Sequence, residues 1–474
     1  MKVSRNLIVI LTVLMLLVFT SMTVYGGGGA EKDDTEAQRP NVFRIGIGYA
    51  DLGTMDPHMA SSTRDRNLVD MIFNGLIRYK PGDSKVFEPD LAEAVPEPEM
   101  IGGKQVWTFK LKKGVMVHAS DVTPSYELTS EDVVYSLKKA ATTERSAYAS
   151  EYDGMTFKAV DKYTVTITLE NPLSPVLFLP KVSDYAGGFI IPKKPIEAMG
   201  DDEFKTHAAG TGPFMVTNYE SQKGVTLVAN EDYFRGKPLL DGVDFRYVPE
   251  ISSREFALAA GQLDAIASLG QVARLEQMAM LPDSIIDVFG VAEVITMHFN
   301  TSKPPFNNLK LRQALAYGTS RDDLLAMFSQ KVYQKVYSPV PVQYLAGGLT
   351  QNETAAAGIE YKIDLAKAKK LLAEAGYADG LSFEVNVSES STYRTTYENL
   401  QAQWAKVGVD LKIKMVDHSS MHKLIRDDAN PMVVYIAWRP NADVYLTRFY
   451  HSASTVVTGA KPDTNFSHYV GIDS

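Results

Sequence analysis

Asp364-Leu365-Ala366-Lys367-Ala368-Lys369-Lys370-Leu371-Leu372-Ala373-Glu374-Ala375-Gly376, followed closely by Leu381-Ser382-Phe383-Glu384-Val385-Asn386-Val387, is the stretch that decides the fold class. Asp364 is placed to cap a helix whose apolar positions are Leu365, Ala368, Leu371, Leu372 and Ala375, and Gly376 can end it. The spacing then changes. Leu381, Phe383, Val385 and Val387 alternate with polar residues, the period of a strand with one buried face. Asn399 to Val407 returns to a helical pattern around Leu400 and Trp404, and Gly408 leads into a second alternating run, Val409, Leu411, Ile413 and Met415.

The same mixture recurs outward from this stretch. Trp107, Phe109 and Leu111 alternate with Thr108 and Lys110, and Val165, Ile167 and Leu169 alternate with Thr164, Thr166 and Thr168. Thr129 and Ser130 precede Val133, Val134 and Leu137, with Asp132 placed to reach back as in a capping box. Ser252 and Ser253 precede a helix carrying Phe256, Ala259 and Ala260, with Gly261 at its end. Strands and helices interleave along the whole chain, which predicts an α/β (mixed α+β) architecture and excludes a helix bundle or a β-sandwich. Turn-rich joints fall at Tyr79-Lys80-Pro81-Gly82-Asp83, at Gly187-Gly188 and at Ser302-Lys303-Pro304-Pro305.

The ends and the composition bound the compartment. Lys2 and Arg5 precede an apolar run from Leu7 to Phe19, and small residues follow from Gly26 to Ala30. This is the layout of a cleavable export signal. As a helix the run rises only about 20 Å, short of the roughly 30 Å needed to span a bilayer. Residues 1–26 are expected to be the signal peptide and 27–39 a flexible mature N-terminus. There is no cysteine among 474 residues, so disulfides, thiolate metal sites and the lipid-bearing cysteine of surface-anchored proteins are all excluded. A periplasmic location follows as the expectation. The net charge is −9 and no basic cluster occurs in the mature chain, which argues against a nucleic-acid partner.

Catalytic signatures are absent. The chain has no G-x-S-x-G elbow, no H-E-x-x-H, no phosphate-binding loop and no calcium-binding loop. Of eight histidines, His418 and His422 have the i, i+4 spacing that lets two imidazoles share a helix face. With Ser419 and Ser420 between them and no glutamate in the pattern, they read as surface polar residues. No metal, cofactor or enzymatic role is expected.

A series of short motifs does carry information. In order they are Thr54-Met55-Asp56-Pro57-His58, Ile72-Phe73-Asn74-Gly75-Leu76, Glu88-Pro89-Asp90-Leu91-Ala92-Glu93 and Trp107 through Val115. Next come Thr129 through Val134, Gly210-Thr211-Gly212-Pro213-Phe214, Asn230 through Phe234 and Ala260 through Asp264. Leu311 through Ala316, Ala366 through Gly380 and Trp404 through Val409 complete the series. In this order the chain resembles the large solute-binding proteins of oligopeptide, dipeptide and nickel ABC importers, family 5 of the extracytoplasmic solute-binding proteins. Most of the signature has structural work. Gly210 and Gly212, for example, are expected to adopt backbone angles closed to other residues.

The resemblance implies a two-lobed periplasmic-binding-protein fold of the class II type, with an extra subdomain and a ligand cleft between the lobes. Residues 40–80 and 186–292 would form lobe 1, 81–185 the extra subdomain and 293–474 lobe 2. Family members usually continue past the counterpart of Tyr469, so the segment that returns to lobe 1 is expected to be missing. The implied function is capture of a peptide or other small polar solute, handed by a monomeric protein to an ABC permease. A ligand-sensing receptor on the same fold, or a binder of an oligosaccharide or metal chelate, is the alternative.

The resemblance also points to site residues. Trp438-Arg439-Pro440-Asn441-Ala442-Asp443 follows the apolar strand Val433 to Ile436, where a strand ends at a cleft edge. Trp438 can pack on a ligand, with a core position as the alternative; Trp107 and Trp404 fit core positions by periodicity. In the peptide binders an aspartate three residues after this tryptophan holds the peptide's amino group. Asn441 stands there and lacks the charge, so it weakens the case for a plain peptide, with Asp443 as a substitute. Arg439 can pair with a ligand carboxylate or lie solvated on the surface. Ser61, Ser62 and Thr63 fall where the family lines its cleft, and Arg394 lies where dipeptide binders carry an arginine for the carboxylate end.

Overall fold

The run from Leu381 to Val416 folds as one strand–helix–strand unit. The strands Leu381–Ser388 and Val409–Val416 pair in parallel in full register, with the helix Ser391–Ala405 crossing between them. The computed structural model describes residues 41–60, 62–83, 86–288, 293–439, 441–455 and 465–471. The expected signal peptide, the stretch 27–39, Ser61 and Pro440 lie outside the described residues, as does the side chain of Thr63.

That crossing helix starts eight residues before the predicted Asn399. Its buried face is Tyr393, Thr396, Tyr397, Leu400, Gln403 and Trp404, which keeps helical spacing while only Leu400 is aliphatic. A reading based on aliphatic periodicity therefore finds only the second half. Trp404 is fully buried, and its indole N–H donates to Thr319 Oγ1 at 2.9 Å. The second strand is also less buried than its alternation suggests, for Met415 is exposed. Beside this unit, Val294–Phe299 pairs antiparallel with Met432–Ala437. Asn430 ties the two sheets together, accepting from the Asn386 N–H and donating to the Asn386 carbonyl, both at 2.9 Å.

The described core divides into three buried clusters. The first, Ile47 to Tyr247, covers a five-stranded sheet in the order Phe214–Glu220, Gly224–Ala229, Gly242–Tyr247, Val42–Ile47, Ala265–Ile266. Val42–Ile47 is parallel to both of its neighbours, and the outer hairpin is antiparallel. The second cluster, Leu76 to Ile190, sits on an antiparallel sheet of Glu99–Ile101, Lys104–Lys110, Thr164–Leu169 and Met155–Asp161. Here Trp107 is fully buried and stacks on Phe178 at 4.3 Å. The third cluster runs from Val294 to Phe466.

Caps were legible in part. Asp132 accepts the Thr129 N–H at 2.9 Å at the start of Ser130–Ala140, and Asp364 accepts the Lys367 N–H at 2.9 Å at the start of Leu365–Glu374. The helix Ile251–Ala259 departs from expectation. Glu250 caps it rather than either serine, and Phe256 is 72% exposed while Arg254 and Glu255 are buried. The reason is chemical: the Arg254 guanidinium donates to the carbonyls of Val248, Pro249 and Ala267, a gain in hydrogen bonds that a phenyl ring cannot match. Gly210 and Gly212 also correct their expectation. Neither has a positive φ; a Cβ on Gly210 would lie 2.1 Å from the Ile72 carbonyl oxygen, so close packing against a helix end is what requires glycine.

One buried ion pair joins the first two clusters. Lys139 Nζ meets Asp56 Oδ2 at 2.7 Å, with side chains 1% and 2% exposed. Asp56 also accepts the His58 N–H at 2.9 Å, which holds the Asp56-Pro57-His58 turn against the helix Ser130–Ala140.

Candidate functional site

The strand Met432–Ala437 ends at Trp438, which is half-buried. Its ring meets Tyr185 edge-on, with centroids 4.8 Å apart at 80°. The Arg66 guanidinium lies 4.9 Å from the centre of the same tyrosine ring. Such contacts contribute about 0.5–1.5 kcal/mol each. Arg66 belongs to the helix Thr63–Ile72 of the first cluster, Tyr185 packs on the second, and Trp438 follows a strand of the third. A single column of side chains therefore brings all three together. Arg66 is steadied by Tyr148, whose hydroxyl it meets at 3.2 Å and which donates to the Ala60 carbonyl at 2.6 Å. Arg448 and Glu151 form an ion pair between the third and second clusters beside it.

Beyond this column lies a group of aromatic and charged side chains. Tyr49 is 40% exposed, with the Arg64 guanidinium 5.6 Å over its ring. Burial, reinforced by the nearby Glu293 charge, holds the phenols of Tyr49, Tyr333, Tyr393 and Tyr445 above the ordinary value. His418 is open to solvent, yet it is surrounded closely enough that desolvation lowers its pKa below 6.5, with the Arg64 charge pushing the same way. Exposure combined with desolvation is what a side chain in a groove experiences.

The sequence-predicted residues are divided by the structure. Trp438 stands in the column. Arg439 is 7% exposed, with its guanidinium 5.0 Å over Phe449 and a bond to the Trp438 carbonyl, so it is not a solvated surface arginine. Asn441 is the N-cap of the helix Ala442–Tyr450, its side-chain oxygen accepting the Val444 N–H at 2.9 Å. Asp443 is exposed in the first turn of that helix and accepts from Thr447 Oγ1 at 2.9 Å. Ser62 precedes the helix Thr63–Ile72 and donates to Asp65 at 2.9 Å. Arg394 is on the exposed face of Ser391–Ala405, paired with Glu398 at 2.8 Å.

His418 and His422 face each other, their Nε2 atoms 3.2 Å apart, with Ser388 Oγ 2.9 Å from His418 Nδ1. Among the described residues no group of three His, Cys, Asp or Glu side chains converges to hold a metal. Two cavities of about 750 and 350 Å³ open elsewhere, the first beside Tyr126 and Lys162 and the second beside Ile295 and Tyr337. They share no lining residue with this group. Sequence reasoning missed Tyr49, Arg64, Arg66 and Tyr185. The only signal they gave was their place shortly before or after the Asp56-Pro57-His58 motif or near the Gly187 joint.

The model of the bacterial extracellular solute-binding proteins, family 5, middle region, matches residues 86–456. Heme-binding protein A of Haemophilus influenzae is 28% identical over 407 residues, 79% of this chain and 70% of that protein. The dipeptide-binding protein of Escherichia coli is 27% identical over 390 residues, 77% of this chain and 69% of that one. Among solved structures, MoaA of A. tumefaciens R10 in complex with mannopinic acid superposes with a TM-score of 0.79 at 36% identity, over 91% of this chain and 85% of that chain. DppA from Helicobacter pylori in complex with the peptide STSA gives 0.76 at 25%, over 91% and 84%. These relatives are solute-binding proteins and not enzymes, and the fold is the two-lobed periplasmic-binding-protein fold that they share. The chain belongs to family 5 of the bacterial extracellular solute-binding proteins, the substrate-binding components of ABC transporters.

Proposed function

We propose that the protein works in the periplasm, exported by the leader at residues 1–26. There it captures a small polar solute in a cleft between lobe 1 (40–80 and 186–292) and lobe 2 (293–474), with 81–185 as the extra subdomain. The loaded protein then docks on an ABC permease as a monomer and performs no chemistry on its cargo. The observation that carries this reading is the Arg66–Tyr185–Trp438 column, in which side chains from all three clusters meet at the junction. Hinge closure around a ligand needs such a meeting point, because the lobes must gain contacts together.

A non-peptide solute is favoured over a plain peptide. The Asn441 side-chain oxygen is engaged in capping a helix, and the residue supplies no negative charge for a free amino group. The structural relative at 36% identity holds mannopinic acid, not a peptide. Native mass spectrometry of the purified mature protein, followed by release of its ligand, tests the capture role. The expected result is an intact, non-covalently held small molecule. A chemically converted ligand, or an empty protein that shows no thermal shift with mannopinic acid, dipeptides or a nickel–histidine complex, would overturn it.

A further inference from the structure

Arg64 is the second residue of the helix Thr63–Ile72, where the positive end of the helix dipole opposes a cation. Helix stability therefore does not call for an arginine there. The surrounding chain nonetheless fixes this one in place. Its Nε donates to Asp65 Oδ1 at 2.8 Å and its Nη2 to Asp65 Oδ2 at 3.3 Å. Asp65 is itself buried at 3% exposure and held by the Gly53 N–H and the Ser62 hydroxyl, each at 2.9 Å. Gly53 completes the cradle, since a Cβ there would fall 2.1 Å from Arg64 Nη2 and 2.5 Å from Asp65 Oδ2.

Held on one edge by Asp65, the guanidinium leaves its Nη1 with no hydrogen-bond partner among the described residues, and the side chain is 29% exposed. It lies over Tyr49, and its charge is felt at His418, on the helix His418–Arg426 whose Met421 and Ile425 belong to the third cluster. Neighbouring arginines are committed otherwise: Arg66 to Tyr148 and Tyr185, Arg439 to Phe449, Arg394 to Glu398 and Arg254 to three backbone carbonyls. We propose that Arg64 is the anion anchor of the cleft, preset by Asp65 and Gly53 to hold a carboxylate of the solute. This assignment rests on the capture reading above and narrows the cargo to acidic solutes. Planar guanidinium–carboxylate pairing supplies the specificity, because an amide of the same shape forfeits the charge-assisted bonds.

The test compares each acid with its own amide. Calorimetric titrations would use mannopinic acid and its carboxamide, and the dipeptide Met-Leu and its C-terminal amide. The wild-type protein should bind whichever acid it accepts about tenfold to a hundredfold more tightly than the matching amide. Arg64→Gln should reduce that ratio to near one. Gly53→Ala, which keeps the charge but displaces the guanidinium, should also lower it. Equal affinity for acid and amide in the wild type, or an undiminished ratio in a folded Arg64→Gln variant, would overturn the proposal. Acetate titrated into the ¹⁵N-labelled wild-type protein, read at the Arg64 Nε–H resonance, gives a result that depends on no variant. A saturable shift supports the anchor and the absence of any shift overturns it. If none of the four solutes binds, the capture reading fails for these classes, and the acetate titration still decides the role of Arg64.

Discussion

Trp438 and Arg439 are neighbours in the chain with opposite surroundings. The indole reaches the junction and the guanidinium turns inward over Phe449. Asn441, two residues on, works for the backbone of its own helix. The resemblance pointed to this segment, but a linear motif cannot say which of its side chains turns inward and which faces another cluster. His298 shows the same dependence on surroundings in a measurable form. It is 3% exposed within reach of Phe449, Tyr450 and Phe466, and burial lowers its pKa to about 4 from the ordinary 6.5. Between those two values the unfolded chain binds a proton that the folded chain refuses. The contribution is therefore intact above 6.5, falls with pH through this window and is lost at about 4. Urea unfolding at pH 7 and pH 5 should show His298→Gln losing about 2 kcal/mol less on acidification than the wild type. Equal losses would mean that His298 is not held neutral.

At the scale of elements, caps and alternation were the readable features. Asp364→Ala removes the acceptor at the start of Leu365–Glu374 and should lower stability by about 1 kcal/mol, measured by denaturant unfolding. An unchanged midpoint would make the cap redundant. Asp364, Asp132 and the strands around Trp107 and Val165 were visible because capping and one-sided burial act locally. The first half of Ser391–Ala405 was not, because two tyrosines and a threonine supply its buried face. Phe256 is exposed and Arg254 buried because backbone carbonyls from the segments on either side of the helix converge on the guanidinium. The candidate site was the least legible part. Arg64 is held in place with the help of Gly53, eleven residues earlier, and no local pattern records that.

At the scale of the whole molecule, the Lys139–Asp56 pair makes the first two clusters depend on each other. Removing one partner of a buried pair leaves an uncompensated charge, which typically costs about 3–5 kcal/mol. Lys139→Met should therefore lower the midpoint of thermal unfolding by several degrees, and calorimetry should show the first two clusters melting together. A small effect of Lys139→Met would mean that water reaches Asp56.

The column at the junction has a further consequence, an optical one. Of the three tryptophans in the chain, Trp107 and Trp404 are fully buried, each within a single cluster. Trp438 alone has its ring against a residue of a different cluster. If the lobes part as the capture reading proposes, the Trp438 share of the ultraviolet emission should change while the other two hold steady, which would give the molecule its own gauge of being open or shut.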